Sequence, residues 1–414
     1  MKLTEIRVDG FKNLSNCRIP LGDFNVLVGP NNSGKSNLLQ VFEMLLLTSF
    51  SSDDTREDVF RGFSGSEYGS SICHLDGSKH EPISVGFTFE TTIEAEQGDV
   101  VWLVDYDMAI QCDTEDAKHG GFKTESLRAK PKGKTGRAKS YIERSGKALT
   151  IVGKRHPIAS HVSSLSALRV LYPEFSKLRT DLAQFWQDMG RLTLTSVFAI
   201  SPDTIRRVMG EEINSGLRRR TFFDCLKSID EIHSDPKRFD SFKENVCDIL
   251  GLEDLRFTVT ETSPPSAGGE RNPKKERTRF CFLKRKGSAY AELREFSDGT
   301  ISVVALLVGL FSQEAHKPPI TCIEEPENFL HPAALAKLLA FLQDTAHKWP
   351  ILLTTHSPYL VNGVRPQDII VAVVDDAGST HFEKPKKRKA INERLNRGYM
   401  NFGDLLVTNF RDML

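Results

Sequence analysis

The sequence has no run of 18 apolar residues and no charged-then-apolar leader at its start, so it is expected neither to cross a membrane nor to be exported, and a cytoplasmic protein is expected. It carries no excess charge of either sign. Lys+Arg and Asp+Glu each number 55, for a net charge of zero, so bulk attraction to a polyanion is excluded and any nucleic-acid binding must come from local patches. The seven cysteines are scattered with no C-x-x-C spacing, and Cys322 sits inside an apolar stretch. That pattern excludes a zinc or disulfide framework and reads as reduced core thiols. Outside the acidic stretch at 324–327, no separate acid cluster suggests a nuclease within the chain.

What is present starts with Gly29-Pro30-Asn31-Asn32-Ser33-Gly34-Lys35-Ser36, which fits G-x-x-x-x-G-K-[ST], comes after the apolar run Phe24 to Val28 and opens an apolar-periodic helix, Gly34 to Leu47. A strand, loop and helix in that order is the setting a phosphate cradle needs. Successive backbone N–H groups converge on the β- and γ-phosphates at the helix N-terminus, Lys35 adds a point charge, and the Ser36 hydroxyl is placed to ligand Mg²⁺. The candidate nucleotide-binding residues are Gly29, Pro30, Asn31, Asn32, Ser33, Gly34, Lys35, Ser36 and Asn37, and the cofactors they imply are ATP and Mg²⁺.

A phosphate loop says only that a nucleoside triphosphate binds; carboxylates decide whether it is cleaved. Pro319 to Ile323 reads as a short buried strand ending in Glu324-Glu325-Pro326-Glu327. At such a strand end one acid holds the Mg²⁺ shell while its neighbour orients the attacking water. Three carboxylates this close repel one another unless a cation sits among them; the bland alternative is an acidic loop capping the helix that starts near Pro332. Ser297, Asp298 and Gly299 precede the apolar helix Ile301 to Phe311 and offer a hydroxyl and backbone N–H groups to a phosphate, or form an ordinary turn and N-cap. Finally the strand Ile351 to Thr354 runs into Thr355-His356-Ser357-Pro358, which places an imidazole at the carboxyl end of a sheet strand.

Taken in order, these pieces resemble the ABC-type ATPase heads of the RecF, SMC and OLD (overcoming lysogenization defect) proteins. The opening Leu3 to Leu14 is similar to their first strand and turn, and Glu324 to Pro332 is similar to the Walker B and D-loop of the OLD-like branch. The resemblance covers residues 1 to about 50 and 290 to about 375 closely, and the middle hardly at all. It implies an α/β fold, a mixed sheet with flanking helices and an inserted helical domain. It also implies that Lys35 and Ser36 contact phosphate and Mg²⁺, that Glu324 is the Walker B acid, that Glu325 polarises water, and that His356 is the switch contact to the γ-phosphate. Ser297, Asp298 and Gly299 would be signature residues completing the site of a second subunit, so hydrolysis would need a head-to-tail pair with two-fold symmetry. The signature departs from the transporter pattern in lacking the second Gly and the Gln after it.

A length of 414 residues exceeds what one core usually holds. The expected organisation is an N-terminal ATPase lobe over 1–112, a basic flexible excursion over 113–160, a helical insertion over 161–255 and a C-terminal ATPase lobe over 256–414. Within the first lobe, Ile83 to Thr91 and Val100 to Ile110 have strand character and Ser51 to Ser78 reads as an exposed excursion. Asp113 to Arg155, rich in Lys and Arg and poor in apolar residues, is expected to be a loop or β-ribbon. Leu171, Phe175, Leu178, Leu182, Phe185, Met189 and Leu192 form a short bundle or coiled-coil seam. A second helix has Asp235 as N-cap, Pro236 at its first position, Gly251 past its end, and Phe239, Phe242, Val246 and Ile249 as its apolar stripe.

Basic clusters occur at Arg128 to Lys139, between Pro264 and Arg279, and at Lys384 to Lys389. Each is short and lacks interleaved aromatics, so a solvated surface is the default, and a DNA-phosphate track the alternative if they line one face. OLD-like proteins often carry a Toprim nuclease after the His strand, for which this chain has no room. By resemblance, the expected partner beyond a second copy is therefore a separately encoded effector, a nuclease or a toxin, in anti-phage defence. A RecF-like DNA-binding repair clamp and a nucleotide-gated scaffold remain the alternatives.

Overall fold

The structure, a computed structural model, describes residues 1–50, 82–93, 100–111, 121–151, 153–158, 164, 197–198, 223–262, 276–313, 319–328, 330–348 and 350–385. The chain divides into two compact units, one built from Met1–Val197, Lys317–Ile323 and Thr345–Leu414, the other from Phe198–His316 and Glu324–Asp344. The expected seam Leu171 to Leu192 and excursion Ser51 to Ser78 lie outside the described residues.

The first unit rests on an eight-stranded sheet formed by β1 (Lys2–Asp9), β2 (Cys17–Pro20), β4 (Ile83–Ile93), β5 (Val100–Gln111), β6 (Gly121–Pro131), β7 (Lys139–Ser145), β8 (Ala148–Ile151) and β9 (Lys154–Pro157), in the order β2-β1-β4-β5-β6-β7-β8-β9. Every neighbouring pair is antiparallel. Period-two alternation sends Val104, Tyr106, Met108 and Ile110 of β5 inward together with Phe87 and Phe89 of β4. The segment expected as a flexible loop or β-ribbon carries the consecutive antiparallel strands β6 to β9. Their few apolar residues are enough because Phe122, Leu127, Ala129, Ile142, Leu149 and Ile151 are all buried in the core of this unit.

A second, six-stranded sheet adds β3 (Phe24–Val28), β10 (Val197–Phe198), β14 (Thr321–Glu324), β15 (Ile351–Thr355), β16 (Ile369–Val374) and β17 (Thr380–Glu383), in the order β10-β14-β15-β3-β16-β17. Both β15 and β16 run parallel to β3. The five residues of β3 and of β15 are all buried, the near-continuous apolar run of a strand covered on both faces. Helix α1 (Lys35–Phe50) comes after β3, and the short α6 (Pro358–Asn362) after β15.

The second unit carries a three-stranded antiparallel sheet, β11 (Asp254–Thr262), β12 (Glu276–Lys284) and β13 (Tyr290–Glu292), with helices α2 (Phe223–His233), α3 (Pro236–Leu250), α4 (Asp298–Gln313) and α5 (Pro332–Thr345). Helix α3 is punctuated as its sequence predicts. Asp235 accepts from the N–H groups of Lys237 and Arg238, Gly251 takes the left-handed conformation at φ 64°, and Phe242, Val246 and Ile249 are buried. Helix α4 is apolar all round and buried to match, from Ile301 through Phe311, with the Phe311 ring against Phe242 at 5.7 Å and Phe341 at 6.3 Å.

Candidate functional site

The loop between β3 and α1 is closed on itself before any ligand is considered. Gly34 has φ 81°, and a Cβ there would lie 2.9 Å from Asn13 Oδ1 and 3.0 Å from Leu14 Cδ2. At Gly29 a Cβ would meet Ser33 Oγ at 2.6 Å and the Ala372 Cβ of β16 at 3.0 Å. Both glycines are therefore required by space, and Gly34 also by its dihedral. Asn32 adopts φ 62°, a region Asn tolerates better than most residues. Ser33 N–H donates to Pro30 O at 3.2 Å, and Leu38 N–H to Gly34 O at 3.0 Å as the helix begins.

Lys35 is only 5% exposed. Its Nζ donates to Gly29 O and Pro30 O, both at 2.9 Å, and to Ser33 Oγ at 3.4 Å. An ammonium held among oxygen acceptors over a loop with left-handed turns fits the oxygens of a polyphosphate. A residue given no role from the sequence braces this cradle: Asn13 donates to Thr380 Oγ1 at 2.9 Å and to Asn32 O at 3.4 Å, while its own Oδ1 accepts from Asn37 Nδ2 at 2.7 Å. The signal for it is a polar pair, Lys12-Asn13, in a turn between Phe11 and Leu14, both fully buried.

Sheet register then places His356. Thr355 pairs with Val28 in the parallel ladder of β15 and β3, so His356 leaves its strand at the level where Gly29 leaves the neighbouring one. Thr354 and Thr355 are buried, and Thr355 Oγ1 accepts from Ser357 N–H at 2.9 Å, which fixes the turn carrying the imidazole. Ser357 in turn caps α6 by accepting from Leu360 N–H. The phosphate loop and His356 thus share one sheet edge of the first unit.

Glu324 is the last residue of β14, which neighbours β15 in that sheet. Beyond it, Glu325 has φ 43°, a left-handed conformation that costs a non-glycine residue about 1–3 kcal/mol. Asn328 holds the turn by donating its N–H to Glu325 O at 3.1 Å and its Nδ2 to Glu325 Oε2 at 3.0 Å. The acidic stretch is thus a strained turn before α5 and does not sit in the first turn of that helix, which contains no acid. Within the second unit, Ser297 is exposed at the start of α4. Its carbonyl accepts from Ile301 N–H at 3.1 Å and its hydroxyl lies 3.1 Å from Thr300 Oγ1, while Gly299 is buried. Among the described residues, no group of three or more His, Cys, Asp or Glu side chains could hold a metal by itself.

Several described cations of the basic clusters are engaged locally, while Arg271, Lys274 and Lys275 lie outside the described residues. Arg128 reaches Asp107 at 3.1 Å, Lys132 reaches Glu90 at 2.6 Å, Lys139 lies over the Tyr141 ring, Arg277 pairs with Glu261 and Arg279 with Asp230. Lys384 donates to Gln367 O, and residues 386–389 of that cluster lie outside the described residues. No helix among the described residues is long and apolar enough to cross a membrane.

Several solved structures are similar to this chain at low identity. The SMC head bound to the C-winged helix domain of ScpA is 15% identical with a TM-score of 0.48, the match covering 95% of this chain and 100% of that one. The SMC head domain from Thermotoga maritima is 12% identical with a TM-score of 0.42, covering 93% and 100%. The Smc head domain with an extended coiled coil from Pyrococcus furiosus, bound to the C-terminal domain of ScpA, is 13% identical with a TM-score of 0.47, covering 96% and 99%. A search of the curated proteins finds no match. The family described as "AAA domain, putative AbiEii toxin, Type IV TA system" matches residues 24–362, a span that takes in the phosphate loop, the Ser297 turn, Glu324, Glu325 and His356. With an α/β fold built around the strand that leads into the Gly29 to Ser36 loop, this chain belongs to that AAA-domain family.

Proposed function

We propose that the chain hydrolyses ATP as a head-to-tail pair and uses the assembled state to regulate a separately encoded effector, a nuclease or toxin, in anti-phage defence. The observation that carries the hydrolytic part is the β3–β15 register, which brings His356 level with Gly29 at the mouth of the phosphate cradle. Bound Mg²⁺ would neutralise charge on the β- and γ-phosphates. Such an ion keeps several waters and needs only one or two protein ligands, the roles that the resemblance gives to Ser36 and Glu324. Lys35 exchanges its carbonyl acceptors for phosphate oxygens, the loop N–H groups add their partial charges, and Glu325 accepts a proton from the attacking water. The strained backbone at Glu325 supports that role, since such outliers persist where the surroundings enforce them and cluster at reactive sites. Ser297, exposed at the N-terminus of α4, would complete the site of the partner copy.

The family description names the AAA domain as a putative toxin of a type IV toxin–antitoxin system, which supports a separately encoded partner; that the partner is the effector rests on the resemblance to OLD-like ATPases. Glu325→Gln removes the proton acceptor and keeps size and hydrogen bonding. Turnover should fall by about 100-fold or more, with ATP retained and the assembled species accumulating in light scattering. Unchanged turnover overturns the role of Glu325; loss of turnover with a strictly monomeric ATP-bound protein overturns the pair.

A further inference from the structure

The three-stranded sheet of the second unit has two unlike faces. Leu255, Phe257, Cys281, Leu283 and Leu293 are buried on one side. On the other, β12 presents Phe280 and Phe282, both partly exposed, with ring centroids 6.1 Å apart and planes within 22° of parallel. Strand register sets Arg256 opposite Phe282 and Thr258 opposite Phe280 on β11, and sets Tyr290 of β13 opposite Lys284. The Arg256 guanidinium lies 4.1 Å from the centre of the Tyr290 ring, reaching across β12, and Lys284 Nζ lies 5.8 Å from the same ring. The adjoining turn, Arg285-Lys286, is exposed.

Acids on this face are already committed. Asp254 is bound by Lys243 at 2.5 Å and by the Tyr290 hydroxyl, contacts that hold its carboxyl down to about 2, and Arg256 reaches it more loosely at 3.4 Å. Glu292 pairs with Arg294 at 2.5 Å, and Glu253 pairs with Lys284 at 2.5 Å. Across the face, its turn and the short helix after β13, the five cations Arg256, Lys284, Arg285, Lys286 and Arg294 stand against the four anions Glu253, Asp254, Glu292 and Glu295. Two parallel aromatic rings on a sheet surface, flanked by cations, match the chemistry of unstacked bases on a phosphate backbone. A protein partner would want a wider apolar patch than two rings among threonines and charges.

We propose that this face of β11, β12 and β13 is a binding site for single-stranded nucleic acid, with bases stacking on Phe280 and Phe282 and phosphates drawn to Arg256, Lys284 and the Arg285-Lys286 turn. The site stands on the sheet alone and does not depend on the proposed ATPase cycle.

The test is fluorescence anisotropy of a labelled oligo(dT) strand titrated with the full chain in the absence of any nucleoside triphosphate, so that failure of hydrolysis and failure of this site are separate results. Phe280→Leu and Phe282→Leu keep apolar volume and remove the π-face. Each should weaken binding about tenfold, and the double variant more than either alone. Arg256→Gln, on an exposed side chain, should weaken binding and lower the dependence of affinity on salt by about one ion. Melting curves matching the parent protein show that the variants are folded. Absence of strand binding by the parent protein overturns the proposal. So does full affinity in the folded double leucine variant, or duplex binding as tight as single-strand binding with both rings dispensable.

Discussion

Lys35 Nζ lies 2.9 Å from the carbonyl oxygen of Gly29, the first residue of its own loop. The cation therefore folds back over the cradle and keeps the carbonyls of Gly29 and Pro30 satisfied. Phosphate oxygens offer the ammonium a charged acceptor in their place, and a charge-assisted bond is about twice as strong as a neutral one. Lys35→Ala removes that bond from the bound state, at a cost of about 2 kcal/mol or more, so ATP should bind roughly thirtyfold more weakly. Titration with a fluorescent ATP analogue reads this directly. Asn13→Ala should act in the same direction and more weakly, because it loosens the brace on Asn32 and Asn37 and leaves the cation in place.

The first unit also buries an ion pair that no part of the nucleotide chemistry uses. Glu125 and Arg144 are both fully buried and meet at 2.6 Å. Tyr106 OH donates to Glu125 at 2.7 Å, and Ser164 donates from both its N–H and its hydroxyl. Burial and the neighbouring carboxylate hold the Tyr106 hydroxyl protonated, well above its ordinary range. Arg144→Met leaves a carboxylate without a cation in the core and should cost about 3–5 kcal/mol. The double variant Glu125→Gln, Arg144→Met should recover part of that loss, since neither charge then remains. Urea denaturation of the parent, single and double variants gives the three values; equal stability of parent and single variant overturns the assignment.

The parts of this molecule legible in the sequence are those whose chemistry is local. Gly29 to Gly34 sits between a buried strand and the helix that Lys35 and Ser36 open, as its spacing requires, and Asp235 and Gly251 bracket α3 because a cap acts within one turn. What escapes the sequence depends on partners distant in the chain. The level shared by His356 and Gly29 is a property of register, which one strand cannot specify alone. Strands β6 to β9 do not announce a sheet because their scarce apolar residues count only by face, and Glu125 looks like a loop acid because Arg144 and Tyr106 lie 19 residues away on either side. The basic segment ending at Arg279 looks free of aromatics because the alternation Phe280, Phe282 begins one residue beyond it.

Ser297 supplies the sharpest test of whether two copies share one site. Its side chain is exposed, so Ser297→Arg should fold, bind ATP through the unaltered loop and, under the proposed pairing, fail in turnover because the bulky cation blocks the N-terminal end of α4. Lys35→Ala should fail for the opposite reason, with its Ser297 turn intact. In a two-fold pair each site takes its loop from one copy and its turn from the other. A protomer carrying Lys35→Ala beside one carrying Ser297→Arg therefore assembles one working site, in which the good loop of the second meets the good turn of the first. Random pairing of an equal mixture makes half the assemblies mixed, and each has one site of two, so turnover should return to about one quarter of the parent value. Recovery from two inactive preparations has no explanation within a single protomer. A mixture as inactive as its components means that Ser297 serves no neighbour's site, and the head-to-tail pair falls with it.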